Sequence, residues 1–131
     1  MEAALASSEE LTSHEVGRLG EHVCRCWLES HDFEILEQNW RCKFGEADII
    51  AREDDEVVFV EVKTRYTRGE DDLMPERAVD DEKRRRYRGM VGVYLAHHPN
   101  ISRVRFDVAG VTLQSTSLAH MHYIKGVWMA D

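Results

Sequence analysis

Asp48, Glu61 and Lys63 are the residues whose types and spacing best suit chemistry, in Gly45-Glu46-Ala47-Asp48 and Phe59-Val60-Glu61-Val62-Lys63. Alternation along an extended strand puts Glu61 and Lys63 on one face and Val60 and Val62 on the other. A two-residue turn at Asp54 and Asp55 sets Glu53 opposite Glu56. Continued outward, that register sets Asp48 opposite Glu61 and Glu46 opposite Lys63, so four charged groups share one patch bordered by Val57 and Phe59. Two facing carboxylates repel unless a positive charge lies between them. Mg2+ or Mn2+, which take hard oxygen ligands together with waters and phosphate, would satisfy both. The chemistry expected is metal-assisted phosphodiester hydrolysis, in which the bound metal lowers the pKa of a water and polarises the phosphate. Lys63 then orients the nucleophile or offsets charge in the transition state.

An isolated Glu-x-Lys on a strand is ordinarily a solvent-facing ion pair of little energetic weight. Here Val58, Phe59, Val60 and Val62 predict a buried central strand, where charges need a reason.

The positioning elements follow from the patterning. Val16, Leu19, Val23, Trp27 and Leu28 recur at helical spacing from about His14 to Ser30, with Thr12 or Ser13 available as cap. Gly17 and Gly20 either weaken that helix or mark close packing. A short strand is predicted over 33–38, continuing extended from Trp40 to Phe44, with a bend at Gly45. Strands over 46–51 and 56–63 form the hairpin, and a polar loop over 64–72 follows. Pro75 suits the first turn of a long helix that Pro99 ends, with Val79, Tyr87, Met90, Val91, Tyr94 and Leu95 facing inward. Strands are predicted from Arg103 to Val111 and from His120 to Trp128. The order α-β-β-β-α-β-β indicates an α/β sandwich with a mixed sheet.

Its 131 residues suit one domain, expected over 14–131 behind a flexible segment 1–13. No apolar run reaches the ~18 residues of a membrane span, and the acidic N-terminus lacks the basic region of a secretory signal. Cys24, Cys26 and Cys42 give neither a disulfide framework nor a zinc pattern, which points to a reducing cytoplasm. A net charge of −8 argues against general coating of nucleic acid. It leaves room for carboxylates that hold a cation and a local basic patch that holds phosphate.

The string from Asn39 to Arg52, with Gly45-Glu46-Ala47-Asp48 inside it, and the string Val58-Phe59-Val60-Glu61-Val62-Lys63-Thr64-Arg65 closely resemble the YraN-type bacterial proteins. That family is assigned to the restriction-endonuclease-like PD-(D/E)xK superfamily and is similar in topology to archaeal Holliday-junction resolvases. The resemblance runs from about Gly17 to Val108 and implies a restriction-endonuclease-like α-β-β-β-α-β(-β) sandwich, its central mixed sheet flanked by helices. It further implies Asp48 and Glu61 as metal ligands, Lys63 as catalytic lysine and Glu21 as the first-helix glutamate completing the metal site. Arg105-Phe106-Asp107-Val108 matches the family's late strand. Departures are Ala47 in place of a bulkier apolar residue, Asp54 where glycine is common, and an acidic loop over 67–74.

Lys83 falls on the inward stripe of the second helix, as a snorkelling lysine or a phosphate or active-site group. Arg84, Arg85, Arg86 and Arg88 form a basic run, either a solvated face or a backbone-phosphate contact that Arg65 and Arg68 would extend. Glu46 reads as a supporting partner of Lys63. His120 and His122 share a strand face and are assigned no function. The leading expectation is a Mg2+- or Mn2+-dependent nuclease in the bacterial cytoplasm, acting on DNA, with branched or structured DNA as one candidate substrate. A homodimer is the arrangement suited to cutting two strands. The rival is a catalytically silent nuclease fold that binds nucleic acid or protein, and RNA is not separated from DNA by any base-reading motif.

Overall fold

The computed structural model describes residues 11–66, 81–114 and 118–129. Helix α1 (Ser13–Ser30) begins on Thr12, whose hydroxyl accepts from the Glu15 amide at 3.1 Å while the Glu15 carboxylate accepts from the Thr12 amide at 2.9 Å. This reciprocal box satisfies two N-terminal donors and starts the helix one residue ahead of the expected boundary. At its far end Asp32 takes a φ of 68°, and the Phe33 amide turns back to the Leu28 carbonyl.

Strands β1 (Glu34–Cys42), β2 (Gly45–Glu53) and β3 (Glu56–Tyr66) form an antiparallel meander. The second helix, α2, spans Asp81–His97 in the described residues, and β4 (Val104–Leu113) and β5 (Ala119–Met129) follow. The sheet order is β1-β2-β3-β4-β5, with β3 and β4 parallel and every other pair antiparallel. This is the α-β-β-β-α-β-β sandwich with a mixed central sheet that the patterning and the resemblance imply.

Two boundaries bear on the site and differ from expectation. The first strand is continuous through Cys42, and the turn sits at Lys43 and Phe44. Strand β3 runs on to Tyr66, so Arg65 is a strand residue paired with Thr112 instead of a loop residue. Parallel pairing with β4 overrides the polar composition there. The expected helix start at Pro75, the acidic loop and Arg68 lie outside the described residues.

The two helices cover opposite faces of the sheet. Cys24 and Leu28 of α1 pack with Phe33, Ile49, Ala51, Val58, Val60 and Val111. Tyr87, Met90, Val91 and Tyr94 of α2 pack with Ile50, Phe59, Phe106 and Val108. Every residue of β4 is buried, as both-face coverage of a parallel pair requires. Two of them are charged. Arg105 donates to Asp107 at 2.9 Å, to Glu56 at 2.7 Å and to Glu53 at 2.8 Å, while Tyr123 Oη and the Gly126 amide donate to Asp107. This network ties the β2–β3 turn to β4 and β5.

Candidate functional site

The β2–β3 hairpin has the register its turn dictates, Glu53 opposite Glu56, through to Ile49 opposite Val60. There the ladder ends. One carboxylate oxygen of Asp48 accepts the Val62 amide at 2.8 Å, so a side chain takes a bond that a strand neighbour would otherwise supply. Asp48 therefore stands where the two central strands part, reachable from both faces. Glu46 pairs across to Arg41 on β1 at 3.6 Å and not to Lys63.

Glu21 arrives from the other side. Helix α1 crosses β3 at Gly20, where a Cβ would lie 1.8 Å from Thr64 Oγ1, so only glycine allows this approach. The next residue, Glu21, is thereby held near Asp48 and Glu46, with its carboxylate hydrogen-bonded by Asn39. Asn39 itself takes a left-handed φ of 51°, a conformation its short polar side chain tolerates.

The electrostatics reflect this crowding. Burial pushes the Asp48 carboxyl up to about 6; the Val62 bond opposes that, and Glu21, Glu61 and Glu46 add to it. Glu21 is raised chiefly by burial, with Asn39 opposing and Glu46 adding. The Tyr87 hydroxyl is held protonated by burial and by the charges of Glu61 and Asp48.

Glu61 is bound from the α2 side. Lys83 Nζ lies 3.0 and 3.1 Å from its two carboxylate oxygens, with both side chains partly buried. Lys83, Arg86, Tyr87 and Met90 close a cavity of about 130 Å³ over Glu46, Asp48 and Glu61. The basic run is thus divided: Lys83 and Arg86 line this cavity and Arg84, Arg85 and Arg88 do not, although all four arginines are exposed. Lys63 is partly buried on β3 opposite Gly110 and lines neither this cavity nor the larger cleft beyond α1. His120 and His122 are exposed on β5.

The donor set fits a hard divalent cation in kind, being all oxygen with surplus negative charge. As placed, no three His, Cys, Asp or Glu side chains among the described residues are close enough to share an ion. Both oxygens of Glu61 are engaged by Lys83, so an ion at this site must compete with that amine.

Apart from Glu21, sequence reasoning left out the polar face of α1. His14, Arg18, Glu21, His22 and Arg25 line a cleft of about 840 Å³ between α1 and β1, together with Gln38, Asn39, Arg41, Glu46 and Asp48. Their spacing of three and four residues was the available signal.

These features define an α/β sandwich whose carboxylates gather where the central strands of a mixed sheet separate. Residues 20–111 match the Uncharacterised protein family UPF0102, and the chain belongs to that family, the YraN-type proteins it resembles in sequence. It is 39% identical over 113 residues to the UPF0102 protein of Beutenbergia cavernae, covering 86% of this chain and 94% of that one. Identity to the UPF0102 protein of Mycolicibacterium vanbaalenii is 40%, covering 86% and 93%. Against the UPF0102 protein of Syntrophus aciditrophicus it is 43%, covering 75% and 76%. No helix among the described residues is long and apolar enough to cross a membrane.

Proposed function

We propose that this chain is a cytoplasmic Mg2+- or Mn2+-dependent nuclease that hydrolyses DNA phosphodiester bonds, with branched or structured DNA among its candidate substrates. One observation carries the reading: Asp48 lies partly buried beside Glu21, Glu61 and Glu46, and burial first, with those charges adding, raises its carboxyl to about 6. Such mutual repulsion is wasteful in a purely structural cluster and useful where a cation is to be held.

In this reading Asp48, Glu61 and Glu21 would draw together around an ion once Lys83 releases Glu61, and the ion would acidify a water and polarise the scissile phosphate. Glu46 adds negative charge and keeps Arg41 at the rim. Lys63 remains the lysine that assists attack, by orienting the nucleophile or offsetting developing charge. Lys83 holds Glu61 in the absence of an ion and is a phosphate partner once released.

The test pairs calorimetric Mn2+ titration with cleavage of duplex, flap and four-way-junction DNA. Wild type is expected to bind and cut, the Asp48→Ala, Glu61→Ala double variant to bind no ion, and Lys63→Ala to lose cleavage. Equal binding by wild type and the double variant removes the metal reading.

The two bonds from Lys83 to Glu61 favour a second reading, a nuclease fold kept as a catalytically silent binding module. It predicts that Lys63→Ala changes nothing while Arg84→Ala, Arg85→Ala, Arg86→Ala loses partner binding.

A further inference from the structure

We infer that the cleft between α1 and β1 binds a single strand of phosphodiester backbone and delivers it to Asp48. This rests on the nuclease reading and moves the nucleic-acid contact away from the arginine run of α2.

The cleft carries charges of both signs. Its walls carry Arg18 and Arg25 from α1 and Arg41 from β1, flanked by His14 and His22. Glu21, Glu46 and Asp48 lie at the end shared with the smaller cavity, since Glu46 and Asp48 line both. A polyanion is drawn by the walls and meets the carboxylates where a cation would offset them. Three arginines against three carboxylates leave this lining near neutral within a chain of net charge −8.

The present partners of those arginines are weak ones. Half-buried Arg25 sits 3.3 Å from exposed Glu29 and also donates to exposed Gln38, and Arg41 sits 3.6 Å from Glu46, both exposed. Surface pairs of this kind contribute ~0–1 kcal/mol, so a phosphate can replace them.

Size and composition narrow the ligand. A volume of about 840 Å³ houses a few nucleotides of one strand and not the width of a duplex. Among the described residues no Phe, Tyr or Trp lines it, and His14 and His22 are the rings left for a base to stack on. The grip is therefore chiefly on backbone charge, indifferent to sequence and steeply dependent on salt.

Gly17 supplies the test. It lines the cleft, and a Cβ there meets nothing within 4 Å, so side chains at this position enter the cleft without disturbing the fold. Binding of a labelled single-stranded oligonucleotide is measured by fluorescence anisotropy in an Asp48→Asn background without added metal, which removes one carboxylate charge and any cleavage. Gly17→Arg is expected to tighten binding and Gly17→Glu to weaken it, each by roughly threefold. The triple variant Arg18→Ala, Arg25→Ala, Arg41→Ala should lose ~10-fold or more and flatten the logarithmic salt slope by ~2, the loss of three single-strand contacts. Arg84→Ala, Arg85→Ala, Arg88→Ala should bind as the background does. Unlabelled RNA of the same sequence should compete as DNA does, and duplex should compete poorly.

Loss of binding in the α2 variant with none in the cleft variants overturns the inference, as does equal competition by duplex. If wild type still cuts DNA in those cases, the nuclease reading survives. If wild type neither binds nor cuts any nucleic acid, both fall.

Discussion

Lys83 spans the gap between α2 and β3 to hold both carboxylate oxygens of Glu61, at 3.0 and 3.1 Å. The pair neutralises one of the carboxylates whose charges crowd Asp48, and it occupies the direction from which an ion would approach Glu61.

Replacing Lys83 with Met should separate these effects. The fold should lose about 1 kcal/mol, read from the urea midpoint, because a partly buried carboxylate is left without its cation. Calorimetry should show Mn2+ affinity rising, on the order of tenfold, once the competing amine is gone. Unchanged or weaker affinity would mean that Lys83 does not stand in an ion's place.

Asp48 gives a pH signature with a definite sign. Burial above all raises its folded-state pKa to about 6, above the ordinary aspartate range, so between the two the folded chain binds the extra proton. Stability from this group is present at low pH and is lost as pH rises through 6. Asp48→Asn keeps an acceptor for the Val62 amide and removes the charge. It should stabilise the protein by about 2 kcal/mol at pH 8 and by almost nothing at pH 4, measured by urea denaturation at both. A constant offset across pH would refute the raised pKa of this buried carboxyl.

The α1–β3 crossing is equally exposed to test. A methyl at Gly20 would meet the Thr64 side chain at 1.8 to 2.6 Å. Gly20→Ala should therefore destabilise by about 1–3 kcal/mol despite alanine's better helix propensity. Thermal unfolding decides it, and a rise in melting temperature would show that the helix does not sit so close.

Arg105 sits among three carboxylates, with Asp107 wholly buried. Arg105→Met strands Asp107 and should lower stability by about 3–5 kcal/mol. A double variant, Arg105→Met, Asp107→Leu, should recover part of that loss in the same denaturation assay. No recovery would place the cost in packing instead of stranded charge.

At the hairpin tip Asp54 carries a φ of 56°, a strained value for a residue with a Cβ. Asp54→Gly should stabilise the chain by about 1 kcal/mol, seen as a raised urea midpoint. A loss would show that the aspartate side chain is needed to hold the turn.

Much of this architecture was legible in the sequence because it is local. The two-residue turn fixed the hairpin register, the valine-rich run marked the central strand, and helical periodicity located both helices. What the sequence hid is where regular geometry stops. Extending the register placed Asp48 opposite Glu61 and Glu46 opposite Lys63, yet the ladder ends at Ile49 and Val60, and Asp48 bonds the Val62 amide instead. The lysine that meets Glu61 lies 22 residues further on, in α2, and strand alternation says nothing about which helical side chain will arrive there. Arg65 read as loop because Thr64-Arg65-Tyr66 is polar in composition, while its partner Thr112 is supplied by a strand distant in the chain. The basic walls of the α1 cleft were spaced visibly along one helix, but concavity arises only when β1 closes the other side.

The contact between Asp48 and the Val62 amide joins two tasks in one side chain. Any occupant that draws the carboxylate away leaves a backbone donor on β3 looking for a new acceptor, along the stretch where β3 is zipped to β4. A single amide resonance, that of Val62, thereby becomes an internal gauge of occupancy, readable by titration with neither a substrate nor a label.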